Sequence, residues 1–248
     1  MLRLLCVTAH PDDEAGGFGG SLLLYASRGV ETHVLCLTSG QAATNRGGAR
    51  SDEELAAMRR AEFQASCQVL KIVRGEVLDY PDAGLDRVDF HAAVGELTER
   101  VRRIRPHVIL TIGPEGAVTA HPDHSMASLF ATLAYHWAGR SNRFPEQLQN
   151  GLKPHRAQKL YYSTTLFSLS DRQPVSPAPV TATVEIGSHF LEEKIRAFKQ
   201  HTSQSPLFQL FETIVRKRGT KELFHLAATT PPRQIQMETD LFEGVKED

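Results

Sequence analysis

Three nearly unbroken apolar runs, RLLCVTA (3–9), ETHVLCLTS (31–39) and HVILTIG (107–113), constrain this chain more than any other feature. A strand with one wet face alternates apolar and polar residues. A run without that alternation is buried on both faces, as in a parallel sheet covered by helices. Helix signals fall between the runs. Gly-rich EAGGFGGSLLLYASRG predicts a helix ending at Gly29. Ser51 and Glu54 form a capping-box pattern opening a long helix, with an apolar stripe through Leu55, Met58, Ala65 and Val69. GEVLDYPD (75–82) reads as a short strand ending in a turn. Val94, Leu97, Val101 and Ile104 share one face of a further helix, which stops before Pro106. Strand, helix, strand at this spacing predicts right-handed βαβ units, and so an α/β fold: a Rossmann-like, doubly wound, mainly parallel sheet with helices on both faces.

The rhythm breaks after residue 139. GRSNRFPEQLQNGLKPHR (139–156) is too long for an ordinary connection, which marks it as a candidate functional loop. Its Arg140, Arg143, Lys153 and Arg156 form either a solvated surface or a reader of an acidic group on a substrate. Strands AQKLYYST and TATVEIG follow, separated by Pro-rich DRQPVSPAP (171–179), then helices near 188–201 and 206–217 and a last strand ELFHLAAT. No domain boundary or repeat is visible. The expectation is one domain over 1–248, whose part from about 140 onward adds substrate loops, strands and helices; 248 residues suffice for it.

A net charge of −1 gives no global reason to expect nucleic acid or an anionic membrane as partner. No stretch approaches the ~20 apolar residues that span a bilayer, and the apolar start is too short for a signal-peptide core. Cys6, Cys36 and Cys67 lack CxxC spacing and cannot all pair, which fits a reducing compartment. These features point to a soluble, cytoplasmic protein.

The letters AHPD occur at 9–12 and again at 120–123, each time just beyond a buried strand. In open α/β sheets, ligands bind where loops leave the carboxyl ends of strands. If the strands are neighbours, His10, Asp12, Asp13 and Glu14 face His121, Asp123 and His124. Adjacent carboxylates repel one another, and a divalent cation removes that difficulty. His plus carboxylate plus His, with a water in the fourth position, is the ligand set of a catalytic zinc site. Mixed nitrogen and oxygen donors suit Zn²⁺ better than Mg²⁺ or Ca²⁺, with Fe²⁺, Co²⁺ and Mn²⁺ as alternatives. A spare carboxylate can then take a proton from the water, and a spare imidazole can stabilise or protonate a tetrahedral intermediate. The remaining histidines, His33, His91, His107, His136, His155, His189 and His225, read as core or surface residues. GGFGG (16–20) is no dinucleotide fingerprint: Leu22 stands where its last glycine belongs, and the preceding acids would repel a pyrophosphate. TSG (38–40) lacks the flanking glycine of a nucleophile elbow.

A strand running into AHPDDE, with a distant HPDH, resembles the PIG-L/LmbE-like family of metal-dependent de-N-acetylases. The resemblance extends to MRRAE (58–62), YPDAGL (80–85) and KIRAFKQHTSQ (194–204). It implies a single LmbE-like domain that removes the N-acetyl group from an N-acetylglucosamine-type substrate with a zinc-activated water. By position it implies His10, Asp13 and His124 as metal ligands, Asp12 as general base, and His121 as the group meeting the oxyanion and leaving amine. Asp123 would orient an imidazole, and Glu14 would tie down the loop. Arg59 would lie near the sugar with Glu62 as its structural partner, and His201 and Gln204, with Ser203, would lie behind the ligands or toward the substrate. Some members carry a tyrosine two residues before the first His of HPDH, where this chain has Thr119. The implied partner is a small amino-sugar, with the aglycone and oligomeric state, a homo-oligomer included, left open. Rival readings are a metal-dependent amidase on a non-sugar amide, and a metal- or sugar-binding homologue without catalysis.

Overall fold

The computed structural model describes residues 1–164 and 178–247. Its centre is a seven-stranded sheet in the order β3-β2-β1-β4-β5-β7-β6. The apolar runs form β1 (Arg3–Thr8), β2 (Glu31–Thr38) and β4 (Val108–Ile112), and GEVLDYPD contributes β3 (Arg74–Tyr80). β1 lies between β2 and β4 and is parallel to both. That central place explains its unbroken apolar run: Leu4 and Cys6 enter one core layer, Leu5 and Val7 the other.

Helices α1 (Asp13–Ser27), α2 (Asp52–Val69) and α6 (Gly187–Phe198) cover the first layer; α3 (Phe90–Ile104) and α4 (Pro122–Ala138) cover the second. The chain winds from β1 outward to β3 on one side and returns to β4 on the other. The switch point therefore falls between β1 and β4, where an open α/β sheet has its ligand crevice. β5 (Lys159–Ser163) is parallel to β4, whereas β7 (Lys221–Thr229) is antiparallel to β5 and to β6 (Ala182–Glu185). Ser163 at the end of β5 pairs with Phe224, and β7 continues past it to Lys221, where β6 pairs with it. The last two strands thus project beyond the carboxyl edge. The mainly parallel, doubly wound sheet is as expected, with this antiparallel edge added.

Two expectations are corrected. The 139–156 connection contains a short helix, α5 (Pro145–Gln149), and lies at the amino end of the sheet. His155 donates to the carbonyl of Pro106, just ahead of β4, and the buried Arg102 guanidinium binds the carbonyls of Ala138, Arg140, Phe144 and Arg143. The loop and its basic residues are therefore on the side of the sheet away from the AHPD stretches. On α2, the buried residues are Leu55, Arg59, Glu62, Phe63, Ser66 and Cys67, whereas Met58, Ala65 and Val69 are only partly covered. The helix turns a partly polar face inward. Most of the Pro-rich 171–179 stretch lies outside the described residues.

The glycines of GGFGG serve packing. A Cβ on Gly20 would stand 2.2 Å from Cδ1 of Ile186 and 2.9 Å from Glu222 Oε1, and one on Gly19 would stand 3.2 Å from Lys194. Bare backbone on α1 lets α6 and the Glu222 carboxylate approach closely. Glu222 accepts from the N–H groups of Gly20 (3.0 Å) and Ser21 (2.8 Å) and pairs with buried Lys194 at 2.6 Å.

Candidate metal centre

The first AHPD turns from β1 into α1, and the second becomes the first turn of α4, with His121 as its N-cap and Pro122 at the start. Both lie at the β1/β4 switch point, so the two loops meet. Ligand atoms of His10, Asp13 and His124 lie within 4.8 Å of one another. Asp13 stands 3.2 Å from His124 Nε2 and 3.7 Å from His10 Nδ1, and one of its oxygens accepts the His10 backbone N–H at 2.8 Å.

The outer nitrogens of the two imidazoles assign their tautomers. His124 Nδ1 lies 3.1 Å from the Gly116 carbonyl, an acceptor only, so Nδ1 carries hydrogen and Nε2 presents its lone pair. His10 Nε2 faces two carboxylates, Asp82 at 3.0 Å and Asp123 at 3.4 Å, so Nε2 carries hydrogen and, in the neutral ring, Nδ1 presents its lone pair. His10 Nδ1 and His124 Nε2 stand 3.3 Å apart beside a carboxylate. With both rings neutral, two acceptors at that distance repel unless a cation, a proton or a metal ion, stands between them; two imidazole nitrogens and a carboxylate converging within 4.8 Å fit a divalent metal. The electrostatics agree. Burial opposes charge on His10, yet hydrogen bonds to Asp123 and Asp82 push its pKa up to about 10. Without a metal that raised pKa keeps a proton on His10 Nδ1, facing His124 Nε2, and a divalent cation held by His10, Asp13 and His124 would take that proton's place.

Gly116 has φ +87°, and a Cβ there would lie 2.8 Å from the backbone of Ala120 and His121. Only glycine lets this carbonyl reach His124. Asp123 is held by the N–H groups of Ala83 (2.7 Å) and Leu85 (3.1 Å), which secure the YPDAGL turn to α4. The imidazole beside its carboxylate is His10.

Asp12 and His121 adjoin this cradle. Asp12 has φ +115°, a strained value for a non-glycine residue. Its N–H donates to Glu14 at 2.9 Å, and its carboxylate binds Arg59 at 2.9 Å. Burial outweighs Arg59 and pushes the Asp12 pKa up to about 6. His121 Nδ1 accepts the Asp123 N–H at 3.2 Å, which puts the imidazole hydrogen on Nε2. Burial, then the neighbouring His10 and His124, hold the His121 pKa below the usual histidine value, which keeps the ring neutral.

Glu14 is fully buried. It accepts from Ser66 (2.6 Å) as well as from Asp12, and pairs with His201 at 2.8 Å. Burial works against the His201 imidazolium, but the Glu14 carboxylate raises its pKa. Arg59, His201 and Gln204 are 3%, 0% and 4% exposed: of the two places expected for His201 and Gln204 the one behind the ligands is found, and the expectation of Arg59 beside the sugar is corrected. Arg59 also donates to the carbonyls of Pro11 and Gly40, and Gln204 donates to Asn45 and Ser203. Glu62 does not partner Arg59; it accepts from Thr202 Oγ1 and from the Ser203 N–H and hydroxyl. These side chains brace the loops from behind. Asp82 was missed as a site residue, although it sits in the YPDAGL segment that carries the resemblance.

A sheet with a two-imidazole, one-carboxylate cradle at its switch point, flanked by a second carboxylate and a neutral imidazole, defines an α/β protein of the metal-dependent hydrolase type. The chain belongs to the PIG-L family: the family model described as GlcNAc-PI de-N-acetylase matches residues 5–135. A 1D-myo-inositol 2-acetamido-2-deoxy-alpha-D-glucopyranoside deacetylase 2 from Catenulispora acidiphila is 28% identical over 98% of this chain and 97% of its own. A diacetylchitobiose deacetylase from Thermococcus kodakarensis is 31% identical over 86% of this chain and 75% of its own. Among solved structures, the N,N'-diacetylchitobiose deacetylase of Pyrococcus horikoshii superposes with a TM-score of 0.75 at 24% identity, covering 90% of this chain and 83% of that one. No helix among the described residues is long and apolar enough to cross a membrane.

Proposed function

We propose that this chain hydrolyses the N-acetyl group of an N-acetylglucosamine-type substrate, with His10, Asp13 and His124 holding a Zn²⁺ ion. The observation that carries the reading is the convergence of His10 Nδ1 and His124 Nε2, 3.3 Å apart, with the Asp13 carboxylate, and with Asp12 and His121 left over by that ligand set. The relatives named above act on N-acetylated glucosamine units, which supports the substrate class. Zinc suits two imidazoles and one carboxylate, and when bound it supplies Lewis acidity toward water and the amide carbonyl.

The protein's own groups divide the remaining work. Asp12 takes the proton of the attacking water, for which a carboxylate raised toward neutrality is suited. His121, neutral and bearing hydrogen on Nε2, donates that hydrogen bond to the carbonyl oxygen as it gains charge. Asp12 then returns its proton to the leaving nitrogen; the C–N bond breaks, and acetate and a free amine result. Arg59 is a positioning residue that holds Asp12 in its left-handed conformation, and Asp82 and Asp123 fix the ring of His10. Asp12→Asn is expected to lower kcat by about 10²–10⁴ with metal content retained. An acetate-release assay with parallel metal analysis tests this, and full activity in that variant would sink the mechanism.

A further inference from the structure

A cavity of about 330 Å³ has Asp12, Asp13 and His124 in its wall and is therefore continuous with the metal cradle. That volume lies at the lower end of small-molecule sites, ~300–1,000 Å³. Its lining is mixed, with Thr119, Ser163, Thr164, Arg218 and Lys221 among its polar members, but much of it is apolar. Ile186, Leu191 and Phe198, with Leu210, Phe211 and Ile214 of α7 (Phe208–Arg218), supply an apolar surface. Phe198 and Phe211 stack with ring centroids 3.7 Å apart, giving it a rigid aromatic wall. The two buried charges in the lining, Lys194 and Glu222, are engaged with each other. On the α1 side, a Cβ on Gly17 would meet nothing within 4 Å, so this wall is open space. Leu210, at 54% exposed, leaves apolar surface in water beside the cavity. An acetyl group has two carbons and cannot use a space of this size and character.

We infer that the cavity is a subsite for an apolar, chain-like or aromatic group of the substrate, so that hydrophobic amino-sugar conjugates are turned over in preference to simple N-acetylglucosamine. This rests on the deacetylase reading and narrows its substrate class. The apolar group has two sources with the same chemistry: an N-acyl chain longer than acetyl, or a hydrophobic aglycone.

Two substrate series separate them. In one, methyl glucosaminide carries N-acetyl, N-butyryl, N-hexanoyl and N-octanoyl groups; in the other, N-acetylglucosamine carries methyl, butyl, hexyl, octyl and phenyl aglycones. Each buried methylene contributes about a fourfold gain, so kcat/KM is expected to rise on the order of 100-fold over four methylenes in the series that enters the cavity. Leu210→Glu, at a half-exposed position, and Gly17→Leu, which fills the open wall, are each expected to shrink the long-to-short ratio at least tenfold. Calorimetric binding of octyl 2-amino-2-deoxyglucoside against its methyl analogue gives a readout without turnover. Tighter octyl binding that Leu210→Glu abolishes supports the subsite even if no amino sugar is hydrolysed, an outcome that would refute only the deacetylase reading. Flat profiles in both series, or long-to-short ratios unchanged in both folded variants, overturn the inference and leave the deacetylase reading intact.

Discussion

Asp82→Asn probes the support of the metal cradle at one atom. The Asp82 side chain is 6% exposed. One oxygen lies 3.0 Å from His10 Nε2 and accepts the Ala83 N–H at 2.9 Å; the other accepts the Ala42 N–H at 2.7 Å. An amide has one acceptor oxygen in place of two. If it serves Ala42, the NH₂ group meets the His10 N–H donor to donor; if it serves His10, the Ala42 N–H is orphaned. Either way His10 loses the carboxylate that makes its opposite nitrogen a stronger ligand. Asp123 remains at 3.4 Å as a second, longer partner, so the loss is partial. Outer carboxylates on metal-ligating histidines are worth about 10–100-fold in metal affinity, or ~1.4–2.8 kcal/mol at 1.4 kcal/mol per tenfold. Competition of the purified variant against a chromophoric chelator reads the affinity, and circular dichroism confirms the fold. Wild-type affinity in a folded Asp82→Asn protein would refute the argument that Asp82 tunes His10.

Two glycines three residues apart on α1, Gly17 and Gly20, should respond oppositely to alanine. Gly20→Ala drives a methyl into Ile186 and Glu222 and is expected to cost about 1–3 kcal/mol in urea unfolding. Gly17→Ala meets nothing and should stabilise by about 0.5–1 kcal/mol; equal effects would contradict the close-packing account. Burial would raise the Glu222 pKa, but Lys194 and the Ser21 hydrogen bonds hold it below the ordinary glutamate value of 4.5. A depressed carboxylate stabilises fully above its unfolded pKa and loses that contribution as pH falls through the folded one. Glu222→Gln strands Lys194 and is expected to cost about 3 kcal/mol at pH 7. The gap to wild type should narrow as pH falls below the ordinary glutamate value of 4.5 and through the depressed folded one, and a gap independent of pH would count against the ion pair.

The strand and helix pattern was readable locally because burial on both faces removes alternation from β1, β2 and β4. The two AHPD stretches were readable because each follows such a strand, and the sheet order brings both to one switch point. The sequence leaves His201 and Gln204 open between two places and sets Arg59 beside the sugar, because residue type does not reveal depth. An arginine on a helix looks solvated until another loop's carboxylate and carbonyls are found around it. The 139–156 loop failed for a related reason: α4 carries the chain 17 residues back to the opposite edge before the loop begins.

What the sequence determines alone is the inventory: buried strands, helices between them, and seven imidazole or carboxylate groups in two short stretches able to build a metal site. Folding decides which atoms meet. Asp82 becomes a support of His10 only because the β3 turn reaches across the loop after β1. The GGFGG glycines have a purpose only once α6 and Glu222 lie against them. The apolar cavity exists only where α1, α6, α7 and the projecting end of β7 converge. Local propensity acts through neighbours along the chain, whereas these features depend on contacts between residues far apart in it, and the packed tertiary structure alone supplies those.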